Sequence, residues 1–358
     1  MMEPLYIPGR RQRIMNDMME LMAVTTRGLE NVSADEMGRI AGLNLSQVAY
    51  RRVHAAFSGE PADLLDLRTV DDIFLHLAAW EDLIPQRAGL AQLTELAGTL
   101  AFTEALGAVA RVRPLGAEPV FSVTANFVGK RKYNADEIKE AVAAGVGDRT
   151  SWRYAAENES DLNLRVFIEH DRADVGLRLA AASLGRRAYR QANLPGSLKP
   201  PVAAAMLRMA GVLPGDSLLD PFCGAGTILI EAALAGADAR GGDNDPLALT
   251  AARENAARAG VSLTLEEWDS RHLPLEGRSV ARVVTNLPWG RQVEVDEGTA
   301  ALYRQACAEI DRVLTSNGEI VILTDQPDLL AFPRHPVVTR TEISLFGQTP
   351  VISQFSVR

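Results

Sequence analysis

The stretch Leu218-Leu-Asp220-Pro-Phe-Cys-Gly224-Ala-Gly226-Thr-Ile-Leu229 runs from a short apolar strand through a glycine turn into the start of a helix. Glycines at 224 and 226 allow a tight turn and a close approach of backbone to a ligand. A dinucleotide-binding loop would carry a third Gly or Ala three residues after the second, for close helix–strand packing, and Leu229 stands there. Asp220, just before the turn, sets an anionic side chain where a pyrophosphate would have to sit. A ligand bearing an ammonium would instead gain from that carboxylate. On both sides of the loop the pattern alternates. Ser217–Asp220, Ala239–Asp243, Ser262–Glu266, Val280–Thr285 and Glu319–Thr324 read as strands, and Thr227–Ala235, Pro246–Ala259 and Thr299–Leu314 as helices. Such alternation predicts an α/β domain from about residue 202, with a parallel sheet covered by helices on both faces. Val337–Leu345 and Val351–Val357, separated by Phe346-Gly-Gln-Thr-Pro350, add a terminal antiparallel hairpin.

Two further carboxylates follow the next two strands. Gly241-Gly-Asp243 ends the second, where an acidic residue is placed to accept from both ribose hydroxyls. Asp245, two residues on, is an alternative for the same task. Trp268-Asp269 follows the third strand, and Asp269 is placed to accept from an adenine amino group. After three consecutive strands these groups line the C-terminal edge of the sheet, where open α/β folds bind ligands. A ribose, an adenine and an amino-acid ammonium together describe S-adenosyl-L-methionine. The expected cofactor contacts are Asp220, Pro221, Phe222, Cys223, Gly224, Gly226, Thr227, Asp243, Asn244, Asp269 and Ser270. The competing account, in which each aspartate merely caps a turn or helix, suits any one of them alone better than the three together. Cys223 has no histidine near it in sequence to activate it and reads as a small turn residue rather than a nucleophile.

The fourth strand ends in Val283-Val-Thr-Asn286-Leu-Pro288-Trp289-Gly290. In isolation this is a Pro-Gly turn with a buried tryptophan. One strand beyond a methyl-donor site, its residue types fit a specific need. The exocyclic amine of a nucleobase is a poor nucleophile, because its lone pair is delocalised into the ring. An Asn side-chain oxygen and a backbone carbonyl, expected to be that of Leu287, accept its two N–H groups, favour charge developing on nitrogen and aim the lone pair at the methyl group. Pro288 restrains the turn, and Trp289 offers a flat face to an unstacked base. Asn286, Leu287, Pro288 and Trp289 are the expected catalytic set.

The remainder of the chain is of ordinary globular composition, 47% hydrophobic, 23% charged and 6% aromatic, which excludes a disordered or collagen-like chain. Two cysteines, Cys223 and Cys307, are too few for a disulfide framework or a cysteine-built zinc site. The five histidines (54, 76, 170, 272 and 335) are scattered, so no metal is expected. Glu3, Arg10, Arg11, Arg13 and Asp17 interrupt the N-terminus, which is not expected to be a signal peptide. No apolar run is long enough to span a membrane, and a cytoplasmic setting is expected. Net charge is -9, but residues 1–200 hold 24 basic and 26 acidic residues and residues 201–358 hold 13 and 20. Positive charge in the first part is clustered at Arg10-Arg11-Gln-Arg13, Arg51-Arg52, Arg111-Val-Arg113, Lys130-Arg131-Lys132 and Arg186-Arg187-Ala-Tyr-Arg190. Local patches rather than totals set where phosphate is attracted, although any one cluster also suits a solvated face.

Residues 21–80 read as β-α-β-β-α-β: strands at 21–25, 47–53, 55–58 and 73–80, helices at 28–41 and 62–67, an order that predicts a ferredoxin-like unit. A second α/β unit follows. It has a helical stretch over 88–112 broken near Gly98, a strand at 120–128 and a helix at 135–146 capped by Asn134. Strands at 162–170 and 173–181, turning at Asp171-Arg172, complete it. Leu194-Pro-Gly-Ser-Leu-Lys-Pro-Pro201 then makes a joint.

The chain resembles the THUMP-domain class I RNA methyltransferases that make N2-methylguanosine, especially the bacterial and archaeal enzymes acting on tRNA. Asp220-Pro-Phe-Cys-Gly-Ala-Gly-Thr-Ile is similar to that family's methyl-donor motif. Asn286-Leu-Pro-Trp is similar to its amino-methyltransferase motif Asn/Asp-Pro-Pro-Tyr/Phe, with Leu for the first Pro and Trp for the aromatic. Ser183-Leu-Gly-Arg-Arg-Ala-Tyr-Arg190 and Pro195-Gly-Ser-Leu-Lys-Pro-Pro-Val-Ala-Ala-Ala-Met206 are similar to its linker. The resemblance implies a ferredoxin-like domain over 1–82, a THUMP domain over 83–182, a linker over 183–201 and a seven-stranded Rossmann-like methyltransferase domain over 202–358. It implies methylation of guanosine N2 in tRNA, with position 6 of the acceptor stem as the expected target, by a monomer that grips RNA through shape and phosphate. Lys130, Arg131, Lys132, Arg186, Arg187, Arg190 and Lys199 are the expected RNA contacts. Rival readings are guanine-N2 methylation of ribosomal RNA, adenine-N6 methylation of DNA, a protein glutamine methyltransferase, and an RNA-binding protein with an inactive catalytic domain.

Overall fold

The computed structural model describes residues 18–192, 194, 196–289 and 298–356. Pro195, Gly290 and the Arg10–Arg13 cluster lie outside the described residues. Two compact units emerge. One holds residues up to Val24, Ala34–Leu67 and Asp72–Leu184; the other holds Thr25–Ser33, Arg68–Asp71 and Gly185–Arg358.

The first unit carries strands β1 (Met19–Val24), β2 (Leu43–Ala49), β3 (Arg52–Phe57), β4 (Asp72–Trp80), β5 (Val120–Val128), β6 (Arg153–Tyr154), β7 (Leu162–Glu169) and β8 (Arg172–Arg178). They form one sheet in the order β2-β3-β1-β4-β8-β7-β5-β6, so both α/β segments read from the sequence share it through the antiparallel β4–β8 pair. Each neighbouring pair among the first four strands is antiparallel, and the strands follow the expected chain order, with helix α1 (Glu30–Met37) after β1. The second expected helix is only a 3-10 segment, Pro61–Asp66. The sequence also misplaced two turns. Tyr50-Arg51 joins β2 to β3 and His170-Asp171 joins β7 to β8, with Arg51 at φ 59° and His170 at φ 56°. Neither turn has the Gly or Asn that normally marks a left-handed position. The stretch around Gly98 splits into α2 (Gly89–Ala97) and α3 (Thr103–Val112). Asn134 caps α4 (Ala135–Gly147) in a reciprocal capping box with Glu137, each side chain satisfying the other residue's backbone N–H.

The second unit begins its regular structure with α5 (Pro200–Met209), started by two prolines whose missing N–H groups would be unsatisfied there anyway. Strands β9 (Ser217–Asp220), β10 (Asp238–Asp243), β11 (Thr264–Glu267), β12 (Val280–Asn286), β13 (Leu314–Thr324), β14 (Val337–Glu342) and β15 (Val351–Ser356) form a sheet ordered β11-β10-β9-β12-β13-β15-β14. The first five are parallel; β15 runs antiparallel between β13 and β14, giving the expected seven strands and terminal hairpin. Helices α6 (Thr227–Leu234), α7 (Pro246–Ala259) and α8 (Thr299–Val313) lie between strands where the alternating pattern predicts them.

Period-two alternation divides the core. Leu218, Val284, Val321 and Leu323 pack with α5, α6 and Leu249 of α7, whereas Leu219, Val283, Ile320 and Ile322 pack with Tyr303, Cys307 and Ile310 of α8. Leu29 belongs to the first of these cores. The Ser344 amide donates to the Arg27 carbonyl at 3.1 Å, which ties segment 25–33 to the loop before β15.

Candidate active site

All sequence-predicted catalytic residues and all but one of the cofactor residues line a single cavity of about 630 Å³ at the C-terminal ends of β9, β10, β11 and β12. That volume suits a ligand of cofactor size. Gly226 is the exception. At φ 80° it starts α6, and a Cβ there would lie 3.0 Å from the Ala252 Cβ of α7, so this glycine serves helix packing instead of ligand approach. Gly224, at φ 49°, behaves as expected: a Cβ there would meet no atom within 4 Å, and the residue borders the cavity. Gly241 and Gly242 are also packing positions, where a Cβ would press to 2.7 Å of the Asp220 carbonyl and 2.3 Å of the Glu266 carbonyl, respectively.

Asp220 is 1% exposed. Its Oδ1 accepts from the Thr285 hydroxyl at 2.6 Å and from the Phe222 amide at 3.2 Å. Burial outweighs these bonds and pushes its carboxyl up to about 7. A cationic partner in the cavity would favour the ionised form, which is the property an ammonium site needs. Asp243 accepts from the Gly224 amide at 2.9 Å through Oδ2 and from the Asp245 amide at 3.0 Å through Oδ1. It thus fixes the glycine loop, and its carboxylate still has acceptor capacity for a ligand. Burial raises its pKa as well. Asp245 instead caps α7, accepting from the Leu247 amide at 2.9 Å. That geometry favours Asp243 over Asp245 as the ribose acceptor. The Trp268 indole donates to the Pro221 carbonyl at 3.2 Å, so the residue beside Asp269 braces the loop. Asp269 is held in its ionised form chiefly by hydrogen bonding from Arg271, whose Nε lies 2.9 Å from each carboxylate oxygen. Cys223 is buried and its thiol pKa is raised well above the ordinary value by burial, which disfavours the thiolate.

The acceptor turn is internally bonded. The Trp289 indole donates to Asn286 Oδ1 at 2.8 Å, which fixes the carboxamide and leaves its oxygen one further lone pair. The Leu287 amide donates to the Leu323 carbonyl at 3.1 Å. The Pro288 carbonyl accepts from the Tyr303 hydroxyl at 2.9 Å, and that hydroxyl lies 2.7 Å from Thr324 Oγ1. Tyr303 is fully buried on α8 and was missed in the sequence, since an apolar-face tyrosine gives no sign of what its hydroxyl reaches. Thr285 was missed for a similar reason: its role shows only when β12 lies beside β9.

The basic residues separate into two kinds. Lys130, Lys132 and Arg186 are exposed, and Lys199 is partly so. Arg131 is folded back onto the Tyr133 hydroxyl and the His170 carbonyl. Arg190 donates to the Ser197 carbonyl at 3.1 Å. Arg187 requires a correction. Its side chain is 9% exposed, and it donates to Glu231 at 3.2 Å and to the Arg68 carbonyl at 2.8 Å. Glu231, 1% exposed on α6, also takes Arg68 at 2.7 Å and the Tyr189 hydroxyl at 2.7 Å. Arg187 is therefore a buried structural cation, not a phosphate ligand.

The histidines are less scattered than their spacing suggests. In the first unit His54, His76 and Asp174 bring ligand-type atoms within 4.8 Å of one another, because β3, β1, β4 and β8 are neighbours in the sheet. The buried Arg52 guanidinium lies 3.2 Å from the same Asp174 carboxylate and 2.7 Å from Glu169, which sets a fixed positive charge beside this group. No helix among the described residues is long and apolar enough to cross a membrane.

Comparison with known proteins identifies the family. The family described as RMKL-like, methyltransferase domain, matches residues 187–335. The chain is 31% identical over 323 residues to the tRNA (guanine(6)-N2)-methyltransferase of Thermus thermophilus, covering 87% of this chain and 91% of that one. It is 32% identical to the human tRNA (guanine(6)-N(2))-methyltransferase THUMP3 over 57% of this chain, but spans only 43% of that protein. The crystal structure of TrmN from Thermus thermophilus superposes with a TM-score of 0.76 at 28% identity, covering 95% of this chain and all of that one. The chain therefore belongs to the same methyltransferase family as its Thermus relative, and S-adenosyl-L-methionine is its methyl donor.

Proposed function

We propose that this protein methylates the exocyclic N2 amine of guanosine in tRNA, at position 6 of the acceptor stem, in the cytoplasm. One observation carries the reading: the internally hydrogen-bonded Asn286–Trp289 turn shares a single cavity with the Asp220–Thr227 loop. S-adenosyl-L-methionine supplies an electrophilic methyl group when bound. Asp220 and the backbone at Gly224 hold its amino-acid end, Asp243 its ribose, and Asp269 with Ser270 its adenine. The Asn286 oxygen, fixed by Trp289, accepts one N–H of the guanine amine, and a backbone carbonyl of the turn accepts the other. Both contacts strengthen as positive charge grows on nitrogen, so they favour the transition state over the ground state. Tyr303 keeps the turn from moving, and Trp289 offers a face to the extruded base.

In this reading the segment 83–182 acts as a THUMP domain, and Lys130, Lys132 and Arg186 contact RNA phosphates. The names of the Thermus and human relatives support tRNA guanine as the substrate over ribosomal RNA or DNA. The test is nucleoside analysis of tRNA after incubation with the protein and labelled cofactor. Label in N2-methylguanosine, mapping to position 6, is expected. Label in N6-methyladenosine, or none in tRNA while ribosomal RNA is labelled, refutes the assignment.

A further inference from the structure

The loop between β14 and β15 carries an aromatic side chain that is about half exposed. Leu345 pairs with Gln348 across a two-residue turn made by Phe346 at φ 52° and Gly347 at φ 77°. Such turns put both central residues at positive φ and favour Asn-Gly or Gly-Gly, because a bulky side chain is strained there. Phe346 is also 49% exposed, whereas Ile343 and Leu345 beside it are 1% exposed. The loop is fixed by the Ser344 amide on the Arg27 carbonyl at 3.1 Å and the Ile343 amide on the Pro350 carbonyl at 3.0 Å. A ring is thus held out on a strained but firmly anchored turn, and it borders the same cavity as Asn286 and Trp289.

Strand register places this loop on one flank of the cavity. Asn286 pairs with Leu323, and Leu323 pairs with Ile352, so the loop preceding β15 is at the acceptor flank of the sheet. Asp243 and Asp269 follow β10 and β11, on the other side of β9. We propose that Phe346 is a base-contacting residue, stacking on the nucleobase that receives the methyl group. Every base has a π-face, so the contact grips the extruded base while the Asn286 turn reads its amine. This rests on the proposed nucleobase substrate.

The test uses Phe346→Asn, which suits the turn better than phenylalanine, and Phe346→Tyr, which keeps a stacking face. For the Asn variant, unfolding temperature should be equal or higher and S-adenosylhomocysteine affinity unchanged. Methyl transfer to tRNA should fall about tenfold in kcat/KM, the order of one base–aromatic stack, with KM carrying most of the loss. The Tyr variant should restore it. Unchanged kcat/KM in the Asn variant overturns the proposal while the proposed function stands. A matching loss of S-adenosylhomocysteine affinity overturns it by placing the ring on the cofactor. A wild-type protein that methylates no nucleic acid removes the underlying reading and the proposal together.

Discussion

Alanine at Gly226 and alanine at Gly224 should fail in different ways, although the two glycines are two residues apart in one motif. At Gly226 the backbone is left-handed, at φ 80°, and an alanine there costs about 1–2 kcal/mol in backbone strain. Its Cβ would also meet Ala252 Cβ at 3.0 Å and Cα at 3.3 Å, atoms that cannot rotate away. Overpacking of that kind adds about 1–3 kcal/mol. Reduced freedom of the unfolded chain returns only about 0.4–1 kcal/mol. A net loss of about 2–4 kcal/mol corresponds to a fall in unfolding temperature of order 10 °C for a unit of this size. Gly224→Ala meets no steric term, because its Cβ points into open space bordering the cavity, and should cost about 1 kcal/mol or less. Thermal unfolding and calorimetry with S-adenosylhomocysteine separate the two. Gly226→Ala should lose stability and keep its affinity; Gly224→Ala should keep most stability and lose affinity at least about tenfold, the measure of 1.4 kcal/mol. Equal unfolding temperatures for the two variants, or normal binding by Gly224→Ala, would refute the division of roles.

Arg187→Ala should destabilise the protein by about 2–3 kcal/mol, since it removes charge-assisted bonds from a buried carboxylate that Arg68 and Tyr189 still partly satisfy. Unaltered stability with loss of RNA binding would instead make it a phosphate ligand. Tyr303→Phe should cost about 1–2 kcal/mol and slow methyl transfer, leaving S-adenosylhomocysteine affinity intact. A normal single-turnover rate would show that the Pro288 carbonyl needs no anchor. Asp220 supplies a pH signature. Its carboxyl, raised to about 7 by burial, holds a proton in the free protein below that pH, and an ammonium ligand favours proton release. S-adenosylhomocysteine affinity should therefore rise with pH up to about 7 and flatten above it. The same shift makes Asp220's contribution to stability fall as pH rises from the usual carboxylate range toward 7, because the native state holds a proton the unfolded chain has released. An affinity that is flat across that window in wild type would remove Asp220 from the ammonium site.

The parallel half of the fold was legible because Leu218/Leu219 and Val283/Val284 sit in short apolar runs separated by capped or proline-started helices. Turns were less so, since Arg51 and His170 adopt left-handed conformations that their residue types do not announce. The cofactor edge was visible as aspartates at strand ends, a pattern that depends only on chain order. What could not be read was which side chains complete them. The Tyr303–Pro288 bond and the Thr285–Asp220 bond span 15 and 65 residues, and both depend on sheet order. Arg187 misled for the converse reason. Three arginines in five residues look like a surface patch until Glu231, 44 residues on, is found beneath one of them.

The central claim is that the Asn286 turn holds the amine that is methylated. Single-turnover methyl transfer to tRNA by Asn286→Ala, measured beside equilibrium binding of tRNA and S-adenosylhomocysteine, tests it most directly. Loss of one preorganised acceptor is worth about 10²–10³ in rate. The account predicts a fall of that size with both affinities within a few-fold of wild type. A near-normal single-turnover rate would contradict it and remove the turn from the chemistry.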